Sequence, residues 1–182
     1  MSHYDARLLL LATMVSFCGS VIAFRLFSRL RGSRGSVRFV WTMLTGLVAG
    51  SGAWATHFLT LLADAGLQGG FMPSLTMASL MVAILFMSAG FAVASVDKAG
   101  ANQIAGGVTI GLGLAAMHYM GMWAVAIDGR LVWEHALVGA SVGLGVLISV
   151  GAILLVGHCR KASEQVIGGL LLMLATGAVH FL

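Results

Sequence analysis

The sequence predicts an all-α, polytopic transmembrane bundle of six helices, built as three parallel two-helix repeats about a pseudo-threefold axis. Three observations predict it. The 182-residue chain is 59% hydrophobic and 9% charged, with a mean hydropathy of +1.01, well outside the range of soluble domains. Its apolar residues fall into continuous runs of 17 or more; a helix needs about 20 residues to cross a hydrocarbon core, whereas a barrel needs short alternating segments. Finally, His57, His118 and His180 recur at intervals of 61 and 62 residues, each near the end of an apolar run. A fixed interval marks an internal repeat.

The six spans run roughly over 8–26, 39–63, 71–96, 104–127, 136–157 and 166–182. The residues before the first, MSHYDAR, lack the basic start and cleavage site of a signal peptide, so this span is read as a retained helix. The third opens near Pro73, the only proline, a residue suited to a first helical turn. The second, fourth and sixth carry the three histidines. The sixth stops at Leu182 in mid-pattern, so the last unit reads as truncated. The chain is one domain, 1–182, with units about 1–64, 65–128 and 129–182.

Lys and Arg in short loops set the orientation. Arg25, Arg29, Arg31, Arg34 and Arg38 lie in the first loop, Lys98 in the third, and Arg160 and Lys161 in the fifth; only Arg7 and Arg130 fall on the other side, with Asp5, Asp64, Asp128 and Glu134. The N-terminus is therefore expected outside (periplasmic), with loops one, three and five cytoplasmic. The formal charge of +4 is a topology signal, and no nucleic-acid partner is expected. In this orientation all three histidines sit in the outer leaflet at one depth.

The repeat extends beyond the histidines. Gly46, Gly107 and Gly169 each precede their histidine by 11 residues, and Gly50 and Gly111 by seven; Gln103 and Gln165 open the second and third copies alike. Small residues at such spacing let helix backbones approach closely in lipid. Two helices per unit give every unit the same orientation, which brings the three imidazoles toward one axis.

Ionisable side chains inside a bilayer are costly and usually functional, and neutral imidazole is the commonest metal ligand. Met122, four residues after His118, shares its helix face; Met117 adjoins the histidine and points about 100° away at 3.6 residues per turn. The candidate metal ligands are thus His57, His118, His180, Met122 and Met117. Imidazole with thioether favours copper, particularly Cu(I); three imidazoles with an open position also suit zinc, and two histidines on separate helices could hold haem. Met72, Met77 and Met81 are read as packing. Trp54 and Trp123 cover the site or anchor the interface, and Trp41 and Trp133 are read as anchors. His3, His135 and His158 fall outside the repeat and are read as surface residues. Cys18 and Cys159 have no disulfide spacing. No nucleophile–base set, P-loop, kinase or zincin motif is present, so the segment is not read as an enzyme. A metal-based sensor, a haem electron-transfer protein, a small metal transporter and a structural anchor with hydrogen-bonded histidines are the functions to separate.

The run Met117-His118-Tyr119-Met120-Gly121-Met122 resembles the motif of the bacterial MHYT domain, an integral membrane sensor module, with Met120 in place of its threonine. The first copy reads Thr56-His57-Phe58 and the third Val179-His180-Phe181. The resemblance covers the whole chain. It implies copper held by the His and Met residues, a diatomic gas (O2, CO or NO) as the ligand sensed, and a bacterial inner membrane location. It also implies a cytoplasmic GGDEF- or EAL-type output that makes or breaks cyclic di-GMP. Thr56 and Val179 replace the motif methionine, and Leu61 stands where Met122 does, so thioether donation is confined to the second copy. A homodimer is an open option.

Overall fold

The structure, a computed structural model, describes residues 4–64, 69–96, 100–126, 133–158 and 161–181. Six α-helices carry the chain: α1 (Ala6–Leu30), α2 (Gly35–Ala63), α3 (Pro73–Ala94), α4 (Gly100–Trp123), α5 (His135–His158) and α6 (Ala162–Phe181). All six are long and apolar enough to cross a membrane. The predicted polytopic bundle is therefore what forms, and its elements begin where local chemistry dictates. Asp5 caps α1, its carboxylate accepting from the Arg7 N–H at 2.8 Å. Pro73 occupies the first turn of α3, where its missing N–H costs nothing. The turn into α2 passes through Gly35 at φ +58°, a left-handed conformation that glycine adopts without strain.

Two predicted spans overran their helices. The spans 71–96 and 104–127 include residues 71 and 125–126. Instead they form a short antiparallel ribbon of β1 (Gly70–Phe71) and β2 (Val125–Ala126), extended by the Met72 N–H donating to the Ala124 carbonyl at 2.7 Å. The residue before a proline is driven out of the helical region, which ends helix formation at Met72 (ψ 112°). Hydropathy does not register this. The ribbon, and the pairing of Tyr4 with Asp64, tie the N-terminal segment and the two long loops together on one face. Below, this is the N-terminal face. Lys98, Asp128, Arg130, Cys159 and Arg160 lie outside the described residues, as does His3.

The helices close into a ring in chain order, α6 returning to α1. Glycines set the seams between repeats. A methyl group on Gly46 would strike the backbone of Ser88 in α3, one on Gly107 that of Val150 in α5, and one on Gly169 the side chain of Val21 in α1, close against its backbone. The three equivalent glycines thus mark three equivalent contacts, each between an even-numbered helix and the next odd-numbered one. This is the close packing expected of small residues in lipid.

Odd- and even-numbered helices reach the axis at opposite ends. Phe24 and Phe27 of α1 meet Phe91 of α3 at ring-centroid distances of 5.8 and 5.3 Å, although α2 lies between those helices in the ring. The Arg31 guanidinium at the end of α1 donates to the Val156 carbonyl of α5 at 3.2 Å. Hence α1, α3 and α5 converge at the face opposite the N-terminal one, and Phe24, Phe27, Leu30, Phe91, Ile153 and Val156 fill the axis there with no more than 1% exposure. Arg38 likewise donates to Ser95 Oγ at 3.0 Å, and Arg29 lies over the Trp41 ring. The arginines read as an orientation signal therefore also tie helix ends together.

Candidate metal centre

At the N-terminal face the even-numbered helices converge instead. They bring His57, His118 and His180 together: Nδ1 of His118 lies 3.1 Å from Nδ1 of His57, Nδ1 of His57 lies 3.3 Å from Nδ1 of His180, and the third side is 3.5 Å. The rings meet edge-on, with centroids 4.8–5.3 Å apart. His57 is 2% and His118 7% exposed. The Gly121 position makes the approach possible, because a methyl group there would collide with Nε2 of the His57 ring.

Hydrogen bonding alone does not satisfy this triangle. A ring nitrogen of a neutral imidazole either donates or accepts. Around three mutually close nitrogens, at most two contacts can pair a donor with an acceptor, and the third sets two lone pairs or two N–H groups against each other. Burial in an apolar bundle makes that mismatch costly. A single cation on the axis would accept all three lone pairs at once. With tetrahedral angles, an ion equidistant from donors so spaced lies about 2.0 Å from each, the usual imidazole–metal distance. The donor set therefore fits a metal ion, and among the described residues these three form a group able to hold one. Nε2 of His57 is buried without a hydrogen-bond partner among the described residues. It lacks the orienting acceptor that ligating histidines commonly have.

The two methionines fall on opposite sides of the triad. Met122 is half-buried and lines a cavity of about 360 Å³ that opens at the N-terminal face and ends on His118 and His180. Met117 is 1% exposed and borders a void of about 10 Å³ beneath all three rings, a space at the lower limit for one water. The expected divergence of Met117 from His118 does not carry it off the axis, because α4 touches α2 and α6 as well as its two ring neighbours, so much of its circumference faces inward. Met72, Met77 and Met81 are 42–54% exposed on the outside of the bundle. Trp54 does not cover the triad: its indole N–H donates to the Thr76 carbonyl of α3 at 3.1 Å. Trp123 is 59% exposed, and His135 is exposed at the start of α5.

Several contributors had no signal in the repeat. Tyr4, Asp64, Trp133 and Glu134 line the outer cavity. Tyr119 shares it, its hydroxyl 2.6 Å from Ser141 Oγ and its ring 5.2 Å from Trp133. Tyr4, Asp64, Trp133 and Glu134 come from the N-terminal tail and two connecting segments, so no helical period relates them; Tyr119 belongs to α4, beside His118. The mutually near-perpendicular rings, with centroids 4.8–5.3 Å apart, are too close for a macrocycle to lie between them, and the plugged far half of the axis presents no through-path among the described residues.

Comparison with known proteins agrees with this architecture. The MHYT family profile, described as a bacterial signalling protein N-terminal repeat, matches residues 50–107 and 111–169. Each match begins within one histidine-bearing helix and ends within the next, so it is phased differently from the helix pairs, as a cyclic repeat permits. An uncharacterized signaling protein of Caulobacter vibrioides is 52% identical over 181 residues, 99% of this chain and 22% of the relative. The bifunctional diguanylate cyclase/cyclic di-GMP phosphodiesterase MucR of Pseudomonas aeruginosa is 26% identical over 91% of this chain and 24% of its own length. The cyclic di-GMP phosphodiesterase NbdA of the same organism is 28% identical over 98% and 24%. This chain thus spans about a quarter or less of these relatives. No solved structure matches. With the profile covering well over half of its residues, the chain belongs to the MHYT family of membrane signalling repeats.

Proposed function

We propose that this chain is the sensory segment of a membrane signalling protein, holding copper on His57, His118 and His180 and reporting a diatomic gas to a cyclic di-GMP-metabolising output. The observation that carries the reading is the triangle of Nδ1 atoms at 3.1–3.5 Å, which imidazole hydrogen bonds alone leave unsatisfied. The three histidines would hold copper there, and the bound ion would supply the affinity for O2, CO or NO. The protein residues do the rest. The three histidines fix the donors and bury them; Met122 offers a thioether from the outer cavity and Met117 one from beneath, the soft donors that favour Cu(I) over harder ions. Phe24, Phe27 and Phe91 keep water from the far half of the axis. Each histidine belongs to a different repeat, so any change in the donor set is felt by α2, α4 and α6 together. Transmission requires that the gas bind two helix arrangements with different affinity. The glycine seams, which hold backbones in contact without interlocking side chains, are where such an arrangement would shift. The basic loops support an inner-membrane orientation with the triad on the periplasmic side.

The test is copper content of the purified protein beside a His57→Ala/His118→Ala/His180→Ala variant. The reading expects about one copper per wild-type chain, none in the variant, and a carbonyl stretch in the infrared when CO is added to the reduced wild type. Equal copper in the two proteins contradicts it.

A further inference from the structure

Among the described residues the triad opens to the N-terminal face, through a cavity lined by two carboxylates. The 360 Å³ cavity ends on the rings of His118 and His180. Beneath the rings the described residues leave a void of about 10 Å³, and further down they fill the axis with side chains such as Phe27, Leu30 and Phe91, which have no exposure. Asp64, at the end of α2, and Glu134, just before α5, line the cavity; no Lys or Arg does so among the described residues. Two carboxylates would not by themselves define a site. Here the cavity they line ends on the rings of His118, which is buried, and His180, two of the three imidazoles grouped closely enough to hold a metal ion. Resting on the copper reading above, we infer that this cavity is the route by which the ion is loaded and removed, with Asp64 and Glu134 drawing cations in from the N-terminal face.

The physics is that of a charged funnel. Low-dielectric walls focus the field of carboxylates at a mouth and raise the on-rate of a cation by about 10- to 1,000-fold at low salt. Met122 lines the same cavity as the carboxylates and the imidazoles, so it offers a thioether there as a softer transfer point for Cu(I). Asp64 and Glu134 act on the rate of capture and leave the donors of the final site intact. The route also confines exchange to one compartment: copper on the N-terminal face reaches the triad, and copper on the opposite face does not.

Two measurements on the full chain test this. In the first, copper-loaded protein in sealed membrane vesicles of each orientation is exposed to a membrane-impermeant Cu(I) chelator. Loss of copper only where the N-terminal face is outward supports the route; equal loss in both orientations overturns it. In the second, copper alone is added to metal-free wild type and to an Asp64→Asn/Glu134→Gln variant at low ionic strength. Loading at least about tenfold slower in the variant, with equal final content and a difference erased by 0.5 M salt, is expected from screening. Equal loading rates overturn the inference while leaving the copper site standing. Wild type that takes up no copper at all overturns the copper reading, and this one with it.

Discussion

The two ends of one axis are built on opposite principles. At the face opposite the N-terminus, odd-numbered helices meet through Phe24, Phe27, Phe91, Ile153 and Val156, an apolar cluster with no more than 1% exposure. At the N-terminal face, even-numbered helices meet through three imidazoles whose contacts do not all pair, beside a cavity rather than a close-packed core. The same threefold arrangement thus supports an apolar packing centre at one end and a cluster of three metal-competent ring nitrogens at the other. Mutational effects on fold and on ion binding should accordingly separate by depth along the axis.

The largest expected effect lies in the dry half. Phe91→Ala removes a fully buried ring and should cost about 3–5 kcal/mol, read as a lower thermal midpoint in detergent, while copper per folded molecule stays at the wild-type level. A fall in copper content matching the fall in stability would dissolve the distinction. Next comes a seam: Gly107→Ala sets a methyl group against the Val150 backbone and should cost about 1–3 kcal/mol, again with copper affinity little changed.

In the other half the pattern should invert. Gly121→Ala pushes on the His57 ring and should weaken copper binding about tenfold, the lower end of what displacing a ligand's support costs, as read by competition with a chelator of known affinity. An unchanged affinity would mean that His57 is not held where the triangle needs it. The smallest effect is expected of Met122→Leu, a volume-conserving change that should lower Cu(I) affinity only a few-fold and leave zinc affinity unchanged, since thioethers prefer the softer ion.

Much of this was legible in the sequence because it is periodic. The intervals between His57, His118 and His180, with Gly46, Gly107 and Gly169 at a fixed offset, encode both the ring and the convergence of imidazoles, since equivalent positions on parallel repeats reach equivalent depths. The ribbon of Gly70–Phe71 with Val125–Ala126 was hidden because apolar residues satisfy a hydropathy count whether they form helix or strand. The plug was hidden because it joins helices that are not neighbours, and nothing local pairs Phe27 with Phe91. The cavity was hidden for a third reason: Tyr4, Asp64, Trp133 and Glu134 lie in connecting segments, where repeat symmetry is lost. Placing Met117 on the axis required knowing how much of α4 faces inward, which depends on tertiary packing.

The central claim is that one ion binds all three imidazoles. X-ray absorption at the copper edge of the loaded protein tests it directly. The account predicts three imidazole nitrogens at about 2.0 Å in the first coordination shell, reduced in the His118→Ala variant. A shell with one imidazole or none, or one unchanged by that substitution, would contradict it.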